Sequence, residues 1–130
     1  MQKLTKAEEE LMLVFWEIGE GVIRDVIKRL KDPQTPYTTV STVVRVLEKK
    51  GFLSHRVIGN THLYYPVISK EEYIKDFLPG ILKKYFEGSF AEMASFFARE
   101  NDLSLKELSE LIDTVGDELR EKQEKDKNNE

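Results

Sequence analysis

A chain of 130 residues with 40% hydrophobic and 34% charged side chains can build one modest core, or one small domain with an appendage. It holds no cysteine, which excludes disulfides, thiol catalysis, iron–sulfur clusters and cysteine-based zinc sites together. No run approaches the ~18 consecutive apolar residues of a membrane span. The opening Met1-Gln2-Lys3-Leu4-Thr5 lacks the apolar stretch of a signal peptide, so a cytoplasmic location is expected.

The formal net charge is −4, which taken globally speaks against a nucleic-acid partner. The charge is unevenly divided, however. Residues 1–68 carry 10 basic and 8 acidic side chains, whereas residues 69–130 carry 10 and 16. Within residues 24–60 there are 8 basic side chains against 3 acidic ones. A locally basic segment joined to an acidic half calls for a functional explanation.

The first element is a helix. Thr5 followed by Glu8 is a capping-box pair. Leu4, Ala7, Leu11, Val14, Phe15 and Ile18 then recur at steps of three and four, and Gly19 and Gly21 stop the run. Trp16 lies off this stripe, beside Met12, and reads as a second packing face. A second helix carries Ile23, Val26, Ile27 and Leu30 on one face and is expected to run to Asp32-Pro33, where the residue before proline leaves the helical region.

The segment from Thr38 to Lys50 sets propensity against period. Its many β-branched residues favour a strand. Yet Val40, Val43, Val44 and Leu47 share one helical face, and the adjacent valines 43 and 44 break strict alternation. With Thr38 as the expected cap and Gly51 just past the end, the segment reads as a helix. Its outer face carries Thr38, Thr39, Ser41, Thr42 and Arg45, short hydroxyls around one forked cation. Such a face suits close approach to a DNA groove, where Ser and Thr reach phosphates or base edges and Arg takes guanine bidentately.

A β-hairpin is expected next, with strands over residues 52–58 and 61–67 and a Gly59-Asn60 turn. Three helices and then a hairpin is the order of a winged helix-turn-helix, with residues 38–50 in the place of the recognition helix and 52–67 as the wing. Arg56, near the wing tip, is a candidate phosphate contact. His55 and His62 can face each other across the hairpin, but two histidines without a Cys, Asp or Glu in the hairpin make a poor metal site.

Several of these segments together carry a family resemblance. Leu4-Thr5-Lys6-Ala7-Glu8-Glu9-Glu10-Leu11-Met12 with Trp16 resembles the opening of the BlaI/MecI penicillinase-repressor family. So do Thr39-Val40-Ser41-Thr42-Val43, Leu47-Glu48-Lys49-Lys50-Gly51-Phe52 and Tyr64-Tyr65-Pro66, with weaker likeness at Gly88-Ser89-Phe90 and Asp102-Leu103-Ser104. The resemblance implies a bacterial cytoplasmic repressor that binds a palindromic operator in double-stranded DNA as a homodimer.

The acidic half reads as a string of short helices. Ser69 with Glu72 and Ser104 with Glu107 are capping pairs. Tyr73, Ile74, Phe77, Leu78, Ile81, Leu82, Tyr85 and Phe86 follow at helical spacing, and Pro79-Gly80 is expected to kink or break that helix near Phe77–Leu78. Phe90, Met93, Phe96 and Phe97 mark another helix, and Leu105, Leu108, Ile112, Val115 and Leu119 a last one. So large an aromatic load cannot be enclosed by these helices alone, and a twin chain would cover it, as the family does with this region. Phe77, Ile81, Tyr85, Phe90, Met93, Phe97, Leu105, Leu108 and Ile112 are the expected dimerisation residues. The charged stretch from Glu121 onward is expected to fray, with residues 124–130 a disordered tail.

The expected organisation is therefore mainly α: a winged helix-turn-helix over residues 1–68, a helical dimerisation region over 69–123, and the tail. Thr39, Ser41, Thr42 and Arg45 are the expected base contacts, and Thr38, Lys49, Lys50 and Arg56 the expected phosphate contacts. The resemblance further implies derepression by proteolysis in the dimerisation region, through a membrane sensor metalloprotease. The family's Asn-Phe cleavage bond aligns with Phe96-Phe97, where the Asn is missing. The copper-responsive CopY branch senses through C-terminal cysteines, which this chain lacks. No cofactor or metal is expected. No nucleophile elbow, phosphate-cradling Gly loop or ligand cluster points to an enzyme. The alternative reading is a winged-helix protein–protein module without a DNA role.

Overall fold

The computed structural model describes residues 2–128. It divides into two compact units, one reaching to Leu78 and the other beginning at Pro79.

The first unit opens with helix α1, Lys6–Ile18. Both halves of its capping box form: the Thr5 hydroxyl accepts from the Glu8 amide at 3.2 Å, and a Glu8 carboxylate oxygen accepts from the Thr5 amide at 2.8 Å. Helix α2 spans only Ile23–Ile27 and stops short of the expected Asp32. The chain there tightens into three-residue bonds, Arg29 to the Val26 carbonyl and Leu30 to the Ile27 carbonyl. Asp32 then forms its own turn, its carboxylate accepting from the Gln34 amide at 2.9 Å.

Helix α3 spans Tyr37–Lys49. Its N-cap is Pro36, correcting the expectation of Thr38, which lies inside the first turn. The Pro36 carbonyl accepts from the amides of Thr39 and Val40, and the ring presets φ at −61°. At the other end Gly51 takes φ +86°. The Phe52 amide donates to the Leu47 carbonyl and the Gly51 amide to that of Glu48, the paired bonds of a Schellman motif. That motif turns the chain directly into the hairpin of β1, Leu53–Ile58, and β2, Thr61–Pro66. The register pairs His55 with Tyr64 and Val57 with His62, and Gly59 supplies the positive φ of the two-residue turn.

The helices and the hairpin share one core. Phe15, Phe52, Met12, Leu47, Leu53, Val26 and Val44 are its largest fully buried side chains. Each is worth roughly 1.5–3 kcal/mol relative to exposure. Gly21, between α1 and α2, exchanges two backbone bonds with Tyr64, both 2.9 Å, and so ties the wing to the helical layer.

Helix α4, Lys70–Phe86, begins in this unit. Trp16, the residue off the main stripe, donates from Nε1 to the Ile68 carbonyl at 2.8 Å, and its ring packs 5.6 Å from that of Tyr73. Tyr73 also meets Phe52 edge-on at 5.9 Å and Phe77 at 5.2 Å. The winged unit therefore takes in the first half of α4, past the residue 68 suggested by the change in charge. Of the kink or break expected near Phe77–Leu78, the break does not occur, since α4 continues through Pro79. Proline removes the bond to the carbonyl of Lys75, and both residues are exposed, so water can take the freed acceptor.

The second unit holds the end of α4, α5 (Phe90–Glu100) and α6 (Leu105–Asn128). Ser89 caps α5 by accepting from the Glu92 amide, and Ser104 accepts from that of Glu107. Asp102 at φ +48° closes α5, with the Leu103 amide on the Ala98 carbonyl. Phe86 packs on Phe96 at 5.7 Å, yet neither α5 nor α6 buries a single residue. The expected disordered tail is corrected as far as Asn128, where α6 ends. Glu118 and Glu121 precede Lys122 and Lys125 by four residues, and Lys125 and Lys127 occupy the last turn, all favourable to a helix. The last two positions of the expected tail lie outside the described residues.

Candidate nucleic-acid interface

Burial of Val40, Val44 and Leu47 fixes the rotation of α3. Thr38, Thr42, Arg45 and Lys49, at steps of four, three and four, then stand on one exposed ridge. The expected base contacts do not all share it. Thr42 and Arg45 lie on the ridge. Ser41 is half-buried on the flank toward the wing, and Thr39 is exposed on the opposite flank. The Thr42 hydroxyl donates to the Thr38 carbonyl at 2.8 Å, which leaves its lone pairs as acceptors.

Between α3 and the wing runs a groove of about 580 Å³. It is lined by Arg24 from α2, by Tyr37, Ser41 and Arg45 from α3, and by Thr61 and His62 from β2. The lining includes no carboxylate. Tyr64 forms its floor, buried, and its hydroxyl is pushed above the ordinary phenol range by that burial and then by Glu48, with Arg45 pulling the other way.

Ion pairing sorts the basic cluster. Lys50 Nζ lies 2.7 Å from Glu8 Oε1, within an almost closed site. Arg56 reaches both carboxylate oxygens of Glu20, at 2.9 and 3.1 Å, in the open. Arg29 pairs with Glu17 at 3.4 Å and Lys28 with Asp25 at 4.0 Å. Among the described residues Arg24, Lys31, Arg45 and Lys49 have no carboxylate within 4 Å. Three of these four face the groove or the ridge. Of the expected phosphate contacts, Thr38 and Lys49 therefore stand open, Arg56 is engaged on the surface, and Lys50 belongs to an internal pair. Arg24, Tyr37 and His62 were not anticipated. Lys28 has Asp25 three residues before it, a pair the sequence displays, whereas nothing local separates Arg24 from Arg29; only the position of Glu17 in space does.

At Glu8, burial raises the carboxyl's pKa, but the hydrogen bonds from Lys50 and from Thr5 outweigh it, and the net position is below the ordinary carboxylate range. Of the two histidines, His62 lines the groove and His55 does not. Their rings stack at 4.3 Å with planes 12° apart, and His55 Nδ1 lies 2.5 Å from Glu48 Oε2. Glu48 comes from α3, so a carboxylate does approach the pair that the hairpin alone could not supply. Even so, no group of three potential ligands with metal-binding geometry exists among the described residues. No helix is long and apolar enough to cross a membrane, again among those residues.

Three helices, a hairpin tied to them through Gly21, and an acid-free basic groove beside the third helix define a winged helix-turn-helix protein. Residues 4–117 match the penicillinase repressor family, and the chain belongs to that family. It is 29% identical over 123 residues to the penicillinase repressor of Bacillus licheniformis, covering 94% of this chain and 96% of that one. To the methicillin resistance regulatory protein MecI of Staphylococcus aureus (strain N315) it is 23% identical over 110 residues, covering 84% and 89%. Among solved structures, ZitR of Lactococcus lactis aligns at 14% identity and a TM-score of 0.47, covering 93% of this chain and 76% of that one.

Proposed function

We propose that the protein is a homodimeric transcriptional repressor that binds a palindromic operator. The observation that carries this reading is the distribution of uncompensated charge. Arg24, Arg45 and Lys49 lack carboxylate partners among the described residues and stand around one helix ridge and the groove beside it, while Lys28, Arg29, Lys50 and Arg56 each have a carboxylate within 4 Å. Helix α3 enters the major groove with Arg45 and Thr42 toward base edges, and Thr38, Lys49 and Arg24 take phosphates. The wing carries Arg56 alongside the backbone. Repression follows from occupancy of the operator.

A second copy supplies the two-fold symmetry. Its support is the number of large apolar side chains left open in the second unit: Tyr85, Phe90, Phe97, Leu105 and Ile112 are between 55% and 87% exposed. Ile81, Met93 and Leu108, half-buried in the same unit, and Phe77, 40% exposed near the end of the first, complete the proposed dimerisation set. Solvating so much aromatic area is costly for a lone chain. Derepression by a membrane sensor metalloprotease would act on this unit, where Phe96 and Phe97 are each about half exposed on α5.

The decisive experiment is a salt-dependent gel shift on duplex DNA from upstream of the chain's own gene, with a random duplex beside it, together with sedimentation of the free protein. A dimer that prefers the upstream duplex is the expected result. A monomer at micromolar concentration, or equal affinity for both duplexes, overturns it.

A further inference from the structure

We propose that His62 is a protonation-gated phosphate contact, positioned by the His55–Glu48 pair, so that operator binding tightens as pH falls through the imidazole range. The proposal rests on the DNA-binding reading above and assigns a role to a cluster that the reading leaves unused.

His62 lines the groove with Arg24 and Arg45, which face it from α2 and α3. From β1 the ring of His55 stacks on it at 4.3 Å; from β2 Tyr64 meets it at 6.1 Å; Tyr37 lines the same groove from α3. Glu48, among the described residues the one carboxylate bonded to this cluster, touches His55 and not His62. A carboxylate only accepts, so His55 Nδ1 carries the proton of that bond, and the ring's rotation is fixed by it. The stack in turn holds His62 toward the groove.

The arrangement separates the roles of the two rings. His55 has the Glu48 carboxylate 2.5 Å from its Nδ1, so that ring's polar partner lies within the protein. Among the described residues His62 has no carboxylate within 4 Å, and it shares the groove with Arg24 and Arg45. A DNA phosphate in the groove reverses that balance by placing a negative charge among three potential cations. Proton affinity at His62 is therefore higher in the complex than in the free protein. By linkage, DNA affinity is highest at the acid end, and the added affinity disappears as pH rises and the proton is lost from the complex. The chain has 2 histidines and no cysteine, so few other groups titrate in this window.

The test is fluorescence anisotropy of the full-length protein on the upstream duplex and on a random duplex from pH 5.5 to 8 at constant ionic strength. The variants are H62Q, which keeps a polar side chain without the titration, and E48Q. Circular dichroism at each pH verifies folding, and proton NMR of the two imidazoles follows their titration directly. For a pKa one unit higher in the complex, wild type gains on the order of tenfold per protomer at the acid end. Its log–log salt slope steepens there by ~0.9 per protomer. H62Q binds with a flat pH profile. In E48Q the two rings compete for charge, and the transition moves to lower pH. A wild-type profile as flat as that of H62Q, or a transition that survives in H62Q, overturns the proposal while leaving operator binding in place. Failure to prefer the upstream duplex at any pH overturns both readings.

Discussion

The ammonium of Lys50 lies 2.7 Å from the carboxylate of Glu8, joining the last turn of the third helix to the first turn of the first. Glu8 is 4% exposed and also accepts from the Thr5 amide. A cation so held is committed to the fold. Removing it leaves a buried carboxylate with fewer partners, which costs roughly 1–3 kcal/mol. Lys50→Ala should lower the thermal midpoint by several degrees and leave the salt slope of DNA binding unchanged. Lys49→Ala should do the reverse, flattening the slope by ~0.9 per protomer with little effect on stability. Slopes that change equally in the two variants would show Lys50 to be a DNA contact after all.

The same pair sets a pH dependence of stability. The Glu8 carboxyl is held below the ordinary range in the fold, so the unfolded chain binds the proton more readily. Its contribution is complete above the ordinary carboxylate range near ~4.5 and is lost as pH falls through the lower, folded value. Denaturant melts from pH 6 down to 2 should show Glu8→Gln less stable at pH 6 and the difference shrinking with acid. A constant difference across that range would remove the charge from the explanation and leave only packing.

Arg45 and Arg24 offer a contrast in binding. Arg45 is the long cation in the middle of the exposed ridge, whereas Arg24 reaches the groove from α2. Arg45→Ala should cost roughly 1–3 kcal/mol on the operator and much less on random DNA. Arg24→Ala should weaken both duplexes alike and flatten the salt slope. Parallel losses for Arg45→Ala on the two duplexes would reassign Arg45 to the backbone.

The wing latch predicts a gain. Arg56 and Glu20 form an exposed pair, 54% and 48% accessible, and such pairs are worth at most about 1 kcal/mol. Arg56 can leave Glu20 for a phosphate at that small cost. Glu20→Gln abolishes the competition, so it should tighten operator and random duplexes alike by up to about fivefold. An unchanged affinity would place the wing arginine away from DNA.

Truncation tests where the winged unit ends. Tyr73 packs on Trp16 and Phe52, so a fragment ending at Leu78 keeps the aromatic cluster and one ending at Ser69 loses it. The longer fragment should fold cooperatively, and the shorter one should be less stable by roughly 1.5–3 kcal/mol. Equal midpoints in urea would show that α4 adds nothing to the core.

Much of this protein is determined by local chemistry that the sequence displays. The Thr5–Glu8 box, the 3.6-residue stripe of Val40, Val43, Val44 and Leu47, and the Gly51 and Gly59 positions each act within a few residues, and each element formed where that chemistry put it. The misplacements have local causes that compete at short range: Pro36 took the cap from Thr38, tight turns ended α2 early, and exposure let α4 pass Pro79. What tertiary structure alone decided is the pairing of charges. Lys49 and Lys50 are neighbours in the chain and differ by about 100° around the helix, so one faces solvent and the other meets Glu8 from across the fold. Arg24 and Arg29 are equally basic, yet only Arg29 has a carboxylate opposite it. A Coulomb interaction depends on distance in space, and sequence separations as large as that between residues 8 and 50 carry no information about it until the helices have packed.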